Sequence, residues 1–350
     1  MKKREYGTIC LLLAAFVMLL QACRKDLPLP DVGGEKKLTM LGEFVLGDTF
    51  LLRAGQSVSV SANSKLQFDL LQNISISLEE PTGAKYNMAA YTDSFSWRLF
   101  TYPFSLSRKV QANSTYKVTA THPTLGTATA IVNIPAQVDA FVVDTAGVQY
   151  SGDTTLRIKV QINDPANTTD YYVIEAVKQK MNVIGYFQQN GGWKLINEDR
   201  IMYDELKANG TVVTRFDTIY YNDYIRQPIY TTDVNTENLL DVGSFTRSRR
   251  VLLKDQRING TSYRTDVYVI KNTDPATENG LWKGRIILYI KAVSADYFKF
   301  LKSYEVYNPS SGFNSFEQPV KIEGNVKNGM GIIGGVSVQK YTYMYDIWNY

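Results

Sequence analysis

The side chains with the widest chemical reach are few. The chain carries one histidine, His122, and two cysteines, Cys10 and Cys23. A single imidazole removes the two-histidine zinc helix and every multi-histidine metal site. It could still serve a serine nucleophile, but no G-x-S-x-G elbow occurs, and Thr121-His122-Pro123 reads as an exposed turn between two strands. Acid pairs at Glu198-Asp199 and Asp204-Glu205 could do glycosidic work, which needs two carboxylates at a set gap and one raised pKa. Adjacent acids in a polar stretch read instead as a solvated face. Asp274 to Gly280 offers oxygen ligands at a spacing unlike an EF-hand, which leaves calcium only an irregular loop. No catalytic residue, metal ligand or cofactor is assigned, and the chain is read as not an enzyme.

Recognition has better candidates. Arg247, Arg249, Arg250, Lys254 and Arg257 form the one local charge imbalance, able to meet an acidic partner or lipid phosphates. The expected setting is the outward face of a strand pair, with Val251 and Leu253 inward. The chain also holds 24 Tyr, 15 Phe and 4 Trp, and tyrosine combines rigid contact area with a hydroxyl. The stretch Asp217 to Tyr230 brings Tyr220, Tyr221, Tyr224 and Tyr230 together with Arg226 in an expected loop or edge, which makes it the candidate binding surface. Gly329, Gly331, Gly334 and Gly335 suit bulges and tight turns at a sandwich edge. A phosphate cradle would need a following helix; Val336-Ser337-Val338 reads as a strand.

The first residues give an address. Lys2, Lys3 and Arg4 precede an apolar run from Ile9 to Leu20, the length of a secretory signal and short for a membrane span. Leu20-Gln21-Ala22-Cys23 resembles the bacterial lipobox, in which the thiol takes diacylglycerol, the chain is cut before the cysteine and the new amine is acylated, often with palmitate. Residues 1–22 are thus expected to be a signal peptide and Cys23 the lipidated first residue. Several acyl chains anchor stably, since each buried CH₂ contributes about 0.8 kcal/mol. Residues 23–35, rich in Pro and Gly, read as a tether. Removing the signal leaves 35 basic and 33 acidic residues of the original 38 and 34, too balanced to imply nucleic acid. The mature chain then has no free thiol, so its core must hold the fold.

Period-two patterning fills the rest. Ile74, Ile76 and Leu78 share one face of Leu70 to Leu78; Thr115 to Ala120 and Thr127 to Ile134 follow, divided by a turn at 122–126. Leu156 to Ile162, Tyr171 to Val177 and Gly284 to Ala292 continue the pattern. Asn190-Gly191-Gly192 and Ile258-Asn259-Gly260 read as hairpin turns. One helix stands out: Ser294 is placed to cap it, Asp296 suits its positive end, and Tyr297, Phe300, Leu301, Tyr304 and Tyr307 recur at helical spacing up to Asn308-Pro309. The fold class expected is mainly β: two immunoglobulin-like β-sandwich domains, 36–136 and 137–350, the second with a long insertion (about 180–280) and one packed α-helix.

The lipobox, the first sandwich closing on Ile134-Pro135, the strand and helix from Ile286 to Tyr307, and the terminal run Phe316-Glu317-Gln318-Pro319-Val320 with Asn325-Val326-Lys327-Asn328-Gly329-Met330-Gly331-Ile332-Ile333-Gly334 carry a resemblance. The chain resembles the surface lipoproteins of Bacteroidetes-type bacteria catalogued as domain of unknown function 4249. Ile333 stands where that pattern has an aromatic. The resemblance implies an outer-membrane lipoprotein anchored through Cys23 and surface-exposed, with the periplasmic face as the alternative. It also implies a TonB-dependent outer-membrane transporter as partner, and carries no catalytic residues. The function expected is a non-catalytic accessory binding a small ligand or peptide. The alternatives are a stand-alone surface adhesin and a carbohydrate- or peptide-directed hydrolase.

Overall fold

A computed structural model describes residues 35–57, 71–93, 101–150, 153–237, 249–270, 281–306 and 322–346. Cys23, Arg247, the Asp274 to Gly280 loop, Asn308-Pro309 and Phe316 to Val320 lie outside the described residues. The chain divides into two units, residues 1–36 with 57–69 and residues 37–56 with 70–350. The second holds nearly every described residue and is the one described below. No described helix is long and apolar enough to cross a membrane.

The chain is mainly β. In order, its elements are β1 (Leu38–Val45), β2 (Thr49–Gln56), β3 (Ser75–Glu79), β4 (Lys85–Asn87), β5 (Ala89–Ala90), β6 (Thr101–Lys109), β7 (Thr115–His122) and β8 (Gly126–Asn133). Then come β9 (Ala140–Tyr150), β10 (Asp153–Asn163), β11 (Tyr171–Gln189), β12 (Gly192–Leu195), α1 (Arg200–Ala208), β13 (Thr214–Gln227), β14 (Ile229–Thr231) and β15 (Val251–Lys254). The last are β16 (Ser262–Ile270), β17 (Leu281–Val293), α2 (Ala295–Val306), β18 (Val326–Lys327) and β19 (Met330–Asp346). Burial follows the alternation that makes these segments strands. Ile76 and Leu78 of β3, Tyr116, Val118 and Ala120 of β7, and Leu156, Ile158, Val160 and Ile162 of β10 all face inward.

Three sheets result among the described residues. The largest runs β12-β11-β17-β19-β1-β2-β6-β5, with β13 and β15 also paired to β11. A second runs β14-β16-β10-β9 and a third β18-β8-β7-β3-β4. One apolar core joins β1, β2 and β6 to β3, β7 and β8, and includes Phe44, Phe50, Tyr116 and Ile333. Another joins β11, β15 and β17 to β9, β10, β14 and β16. Each wholly buried Leu, Ile or Val contributes about 1.5–3 kcal/mol. Both sandwiches therefore share one continuous sheet, and β19 is the strand where they meet.

The glycine-rich tail is thus a central strand and not a sandwich edge. β19 lies parallel to β1 and antiparallel to β17. Its glycines are where other backbone presses on it. A Cβ at Gly335 would collide with the Asn133 carbonyl, one at Gly334 with the Tyr297 ring, and one at Gly331 with the Met40 carbonyl. Val138 N–H donates to Ser337 Oγ at 2.8 Å and Ser294 N–H to the Gly335 carbonyl at 2.9 Å.

Other expectations change in detail. Asn190 and Gly191 have φ of 51° and 78° and close the β11–β12 hairpin as expected. Ile258-Asn259-Gly260 does not close a hairpin: β15 pairs with β11 in the large sheet, whereas β16 pairs with β10 and β14 in the second. The chain between them crosses the core. The expected helix is α2, but the Ser294 hydroxyl accepts from Gly335 N–H at 3.2 Å, tying the helix start to β19. A second helix, α1, was not expected. Asp199 caps it by accepting from Met202 N–H at 3.3 Å.

Gly335→Ala should lower the unfolding free energy by about 3 kcal/mol, because overpacking a close backbone contact cannot be relieved. Gly147→Ala, with nothing within 4 Å of its Cβ position, should stay within about 0.5 kcal/mol of the parent. Urea denaturation of the two variants checks the difference.

Candidate functional site

The tyrosine-bearing stretch is a strand. β13 pairs with β11 and, among the described residues, with no other strand, so it is an edge of the large sheet. Tyr220 pairs with Met181 and Tyr224 with Gln179, with the register shifting between them where Tyr221 falls. Tyr224 is 53 % exposed. Tyr230 is elsewhere, in β14, opposite Tyr268 of the second sheet. Pro228 separates the two strands, which accounts for the change of sheet. The structure therefore keeps Tyr220, Tyr221, Tyr224 and Arg226 on one edge and parts Tyr230 from them.

Arg226 leads inward to Glu175. Arg226 pairs with Val177 across the β11–β13 ladder, two residues from Glu175 and so on its face, and its guanidinium lies 3.4 Å from Glu175 Oε1. Arg250 Nε donates to the same oxygen at 2.6 Å, and Lys291 Nζ of β17 lies 3.0 Å from Oε2. The chain of charges continues: Arg250 pairs with Glu305 of α2, Lys291 lies 3.5 Å from Glu43 of β1, and the Tyr297 hydroxyl donates to Glu43. Burial alone would push the Glu175 carboxyl up. Lys291, Arg226 and Arg250 outweigh that and bring it from 4.5 to about 2. A carboxylate so firmly ionised cannot trade protons at neutral pH. It acts as a brace, tying β1, β11, β13, β17 and α2 to Arg250.

The basic cluster is consequently not one surface patch. Arg250 is only 5 % exposed. The reason is that β15 is covered on both faces: Val251 and Leu253 face the second core, while Leu252 packs with Phe298 and Leu301 of α2. Arg249 is exposed, Lys254 is half-buried opposite Tyr171, and Arg257 sits in a 3-10 turn. His122 also departs from expectation. It is buried, and its Nδ1 accepts from the Thr124 and Leu125 N–H groups at 3.3 Å each. It organises the β7–β8 turn instead of lying exposed on it. The acid pairs do form a solvated face: Asp204 bonds Arg200 at 3.0 Å on α1.

Three carboxylates gather without any warning in the sequence. Asp164, Asp170 and Asp255 bring one oxygen each within 4.8 Å of one another. Asp164 accepts from the Tyr172 hydroxyl at 2.6 Å and Gly260 N–H at 3.0 Å, and Asp255 accepts from Asp170 N–H at 2.8 Å. Burial, then the neighbouring Asp164 and Asp170, push the Asp255 carboxyl up, after partial relief by its backbone bond. Among the described residues these are the ones that could hold a hard cation, which favours carboxylate oxygen.

The family model described as domain of unknown function (DUF4249) matches residues 38–342. The chain belongs to the DUF4249 family. No curated protein matches it. Two solved structures are similar to it at low identity. A DUF4785 family protein from Legionella pneumophila is 9 % identical over 72 % of this chain and 50 % of that one, with a TM-score of 0.21. A Salmonella alpha-2-macroglobulin variant is 11 % identical over 76 % of this chain and 14 % of that one, at 0.23. This DUF4249 chain thus spans half or less of either.

The terminal motif of this DUF4249 chain has a structural role. Asn325 mimics a strand: its amide donates to the Ile131 carbonyl at 3.2 Å and the Ile333 carbonyl at 2.9 Å, and accepts from Ile333 N–H at 3.0 Å. Asn328, at φ 54°, turns the chain into β19. Ile333 is wholly buried in the first core.

Glu175→Gln should cost about 3–5 kcal/mol at pH 7, since it strands buried cations. Because the Glu175 pKa is depressed on folding, its share of stability is complete above about pH 4.5 and is lost as pH falls toward 2. That share is about 3 kcal/mol. The gap between wild type and variant should therefore narrow by about that much from pH 6 to pH 2, measured by denaturant melts across pH.

Proposed function

We propose that this protein is a lipid-anchored outer-membrane accessory that binds a partner or ligand without catalysing its conversion. The observation that carries the reading is the β13 edge. It presents Tyr224 to solvent while Arg226 fastens the strand to the buried Glu175 brace. Aromatic area on a rigid mount is what a recognition surface requires, because little entropy is lost on contact. An edge strand also offers unpaired backbone groups to a partner. The lipobox supports attachment through Cys23, and the tether at 23–35 supports reach beyond the bilayer. Family resemblance supports a TonB-dependent transporter as the body on which the protein docks. The role of the β-rich scaffold is then to hold the β13 edge at a fixed height and orientation against that transporter.

The test is purification of the native protein in mild detergent with mass spectrometry of what accompanies it. A stoichiometric β-barrel transporter is expected, and Tyr224→Ala should reduce its recovery at least tenfold with an unchanged melting temperature. Recovery of the protein alone overturns the transporter reading in favour of a free-standing adhesin. Cys23→Ala should abolish metabolic palmitate labelling and move the protein from the membrane to the soluble fraction. Labelling that survives the substitution would remove the anchor.

A further inference from the structure

Beyond the pair Val183 and Leu281, β11 leaves β17, and its outer part pairs among the described residues only with β12 and β13. The three strands make a finger with two unlike faces. On one, Phe187 is wholly buried with Ile196 and Tyr203 of α1. Gly185 lets that packing close, since a Cβ there would come within 2.6 Å of Ile196. Alternation puts Tyr186 on the other face, together with its cross-strand partners Leu195 and Arg215, and with Trp193 opposite Gln188.

That second face carries a composite group. The Arg215 guanidinium carbon lies 5.1 Å from the centre of the Tyr186 ring and 5.7 Å from that of Trp193. Its Nη2 donates to Asp217 Oδ2 at 2.7 Å, with the two side chains 52 % and 45 % exposed. Trp193 is itself 45 % exposed. A cation over a ring and an ion pair in solvent each stabilise weakly. Such contacts orient the rings more than they hold the fold. Two oriented aromatic rings beside a guanidinium donor and a carboxylate acceptor match a molecule with an apolar face rimmed by hydroxyls, which both donate and accept. The charges named on this face cancel, Arg215 against Asp217. A phosphate-bearing ligand gains nothing there, and Asp217 repels it.

We propose that the Tyr186, Trp193, Arg215 and Asp217 face of the finger binds a neutral glycan. Trp193 stacks on the apolar face of a pyranose ring, while Arg215 and Asp217 hydrogen-bond its hydroxyls. The site is separate from the Tyr224 edge and does not depend on a transporter partner.

Affinity electrophoresis of the detergent-solubilised full-length protein in native gels containing dextran, xylan or laminarin tests it. At least one polysaccharide should retard the wild type. Trp193→Ala should weaken the apparent affinity at least tenfold, and Arg215→Lys and Asp217→Asn several-fold each. Trp193→Phe should keep part of the retardation, and Tyr224→Ala all of it. Thermal melts unchanged in Arg215→Lys and Asp217→Asn separate a lost site from a lost fold. Migration unaffected by all three polysaccharides, or retardation that persists in Trp193→Ala, overturns the proposal.

Discussion

Two sheets, a helix and a neighbouring strand all need the same stretch of backbone. β19 can serve them because its glycines carry nothing sideways. At Gly335 the Asn133 carbonyl occupies the place of a side chain, at Gly334 the Tyr297 ring does, and at Gly331 the Met40 carbonyl. Between these gaps Ile333 enters the first core, while Ile332 and Val336 pack under α2. Glycines and bulky apolar residues are interspersed, so that backbone approach and apolar burial occur within one strand.

Charge completes what close approach begins. Glu175 lies within a strand that is apolar on both sides, and removing it from water is unfavourable unless cations accompany it. Lys291, Arg250 and Arg226 come from three different segments to do so. The polar contacts therefore specify which strands and which helix meet, while the apolar cores supply most of the stability. The solvent-facing tyrosine edge inherits its rigidity from this buried arrangement through Arg226.

Period-two runs such as Leu156 to Ile162 were legible because one face of each strand is apolar and the other is not. The Asn190-Gly191 hairpin was legible because its backbone requires positive φ. What escaped was set by distance along the chain. The three aspartates meet because β15 and the loop before β11 converge, and Asp170 and Asp255 stand 85 residues apart. Arg250 looked like surface because neighbouring cations suggested it, whereas α2 covers that side of β15. A signal did exist: Glu175 is the lone charge in Tyr171 to Val177, and Lys291 stands between Ile290 and Ala292 at the apolar end of its strand, and such residues need a partner. Trp193 and Arg215 gave no cue, since their proximity depends on the β11–β12 and β11–β13 registers together.

The parallel pairing of β1 with β19 joins residues near the two ends of the described chain. A loop of almost the whole sequence must close before that ladder forms, and parallel ladders with so long a connection are slow to assemble. Ile333 of β19 fills the first core and Tyr341 and Tyr343 lean on the second, so a chain emerging N-terminus first leaves both open along this seam until β19 appears. A product shortened before Gly331 would lose the seam of both sandwiches at once. Among the described residues, the strand that comes latest in the chain is thus the one on which both sandwiches wait to close.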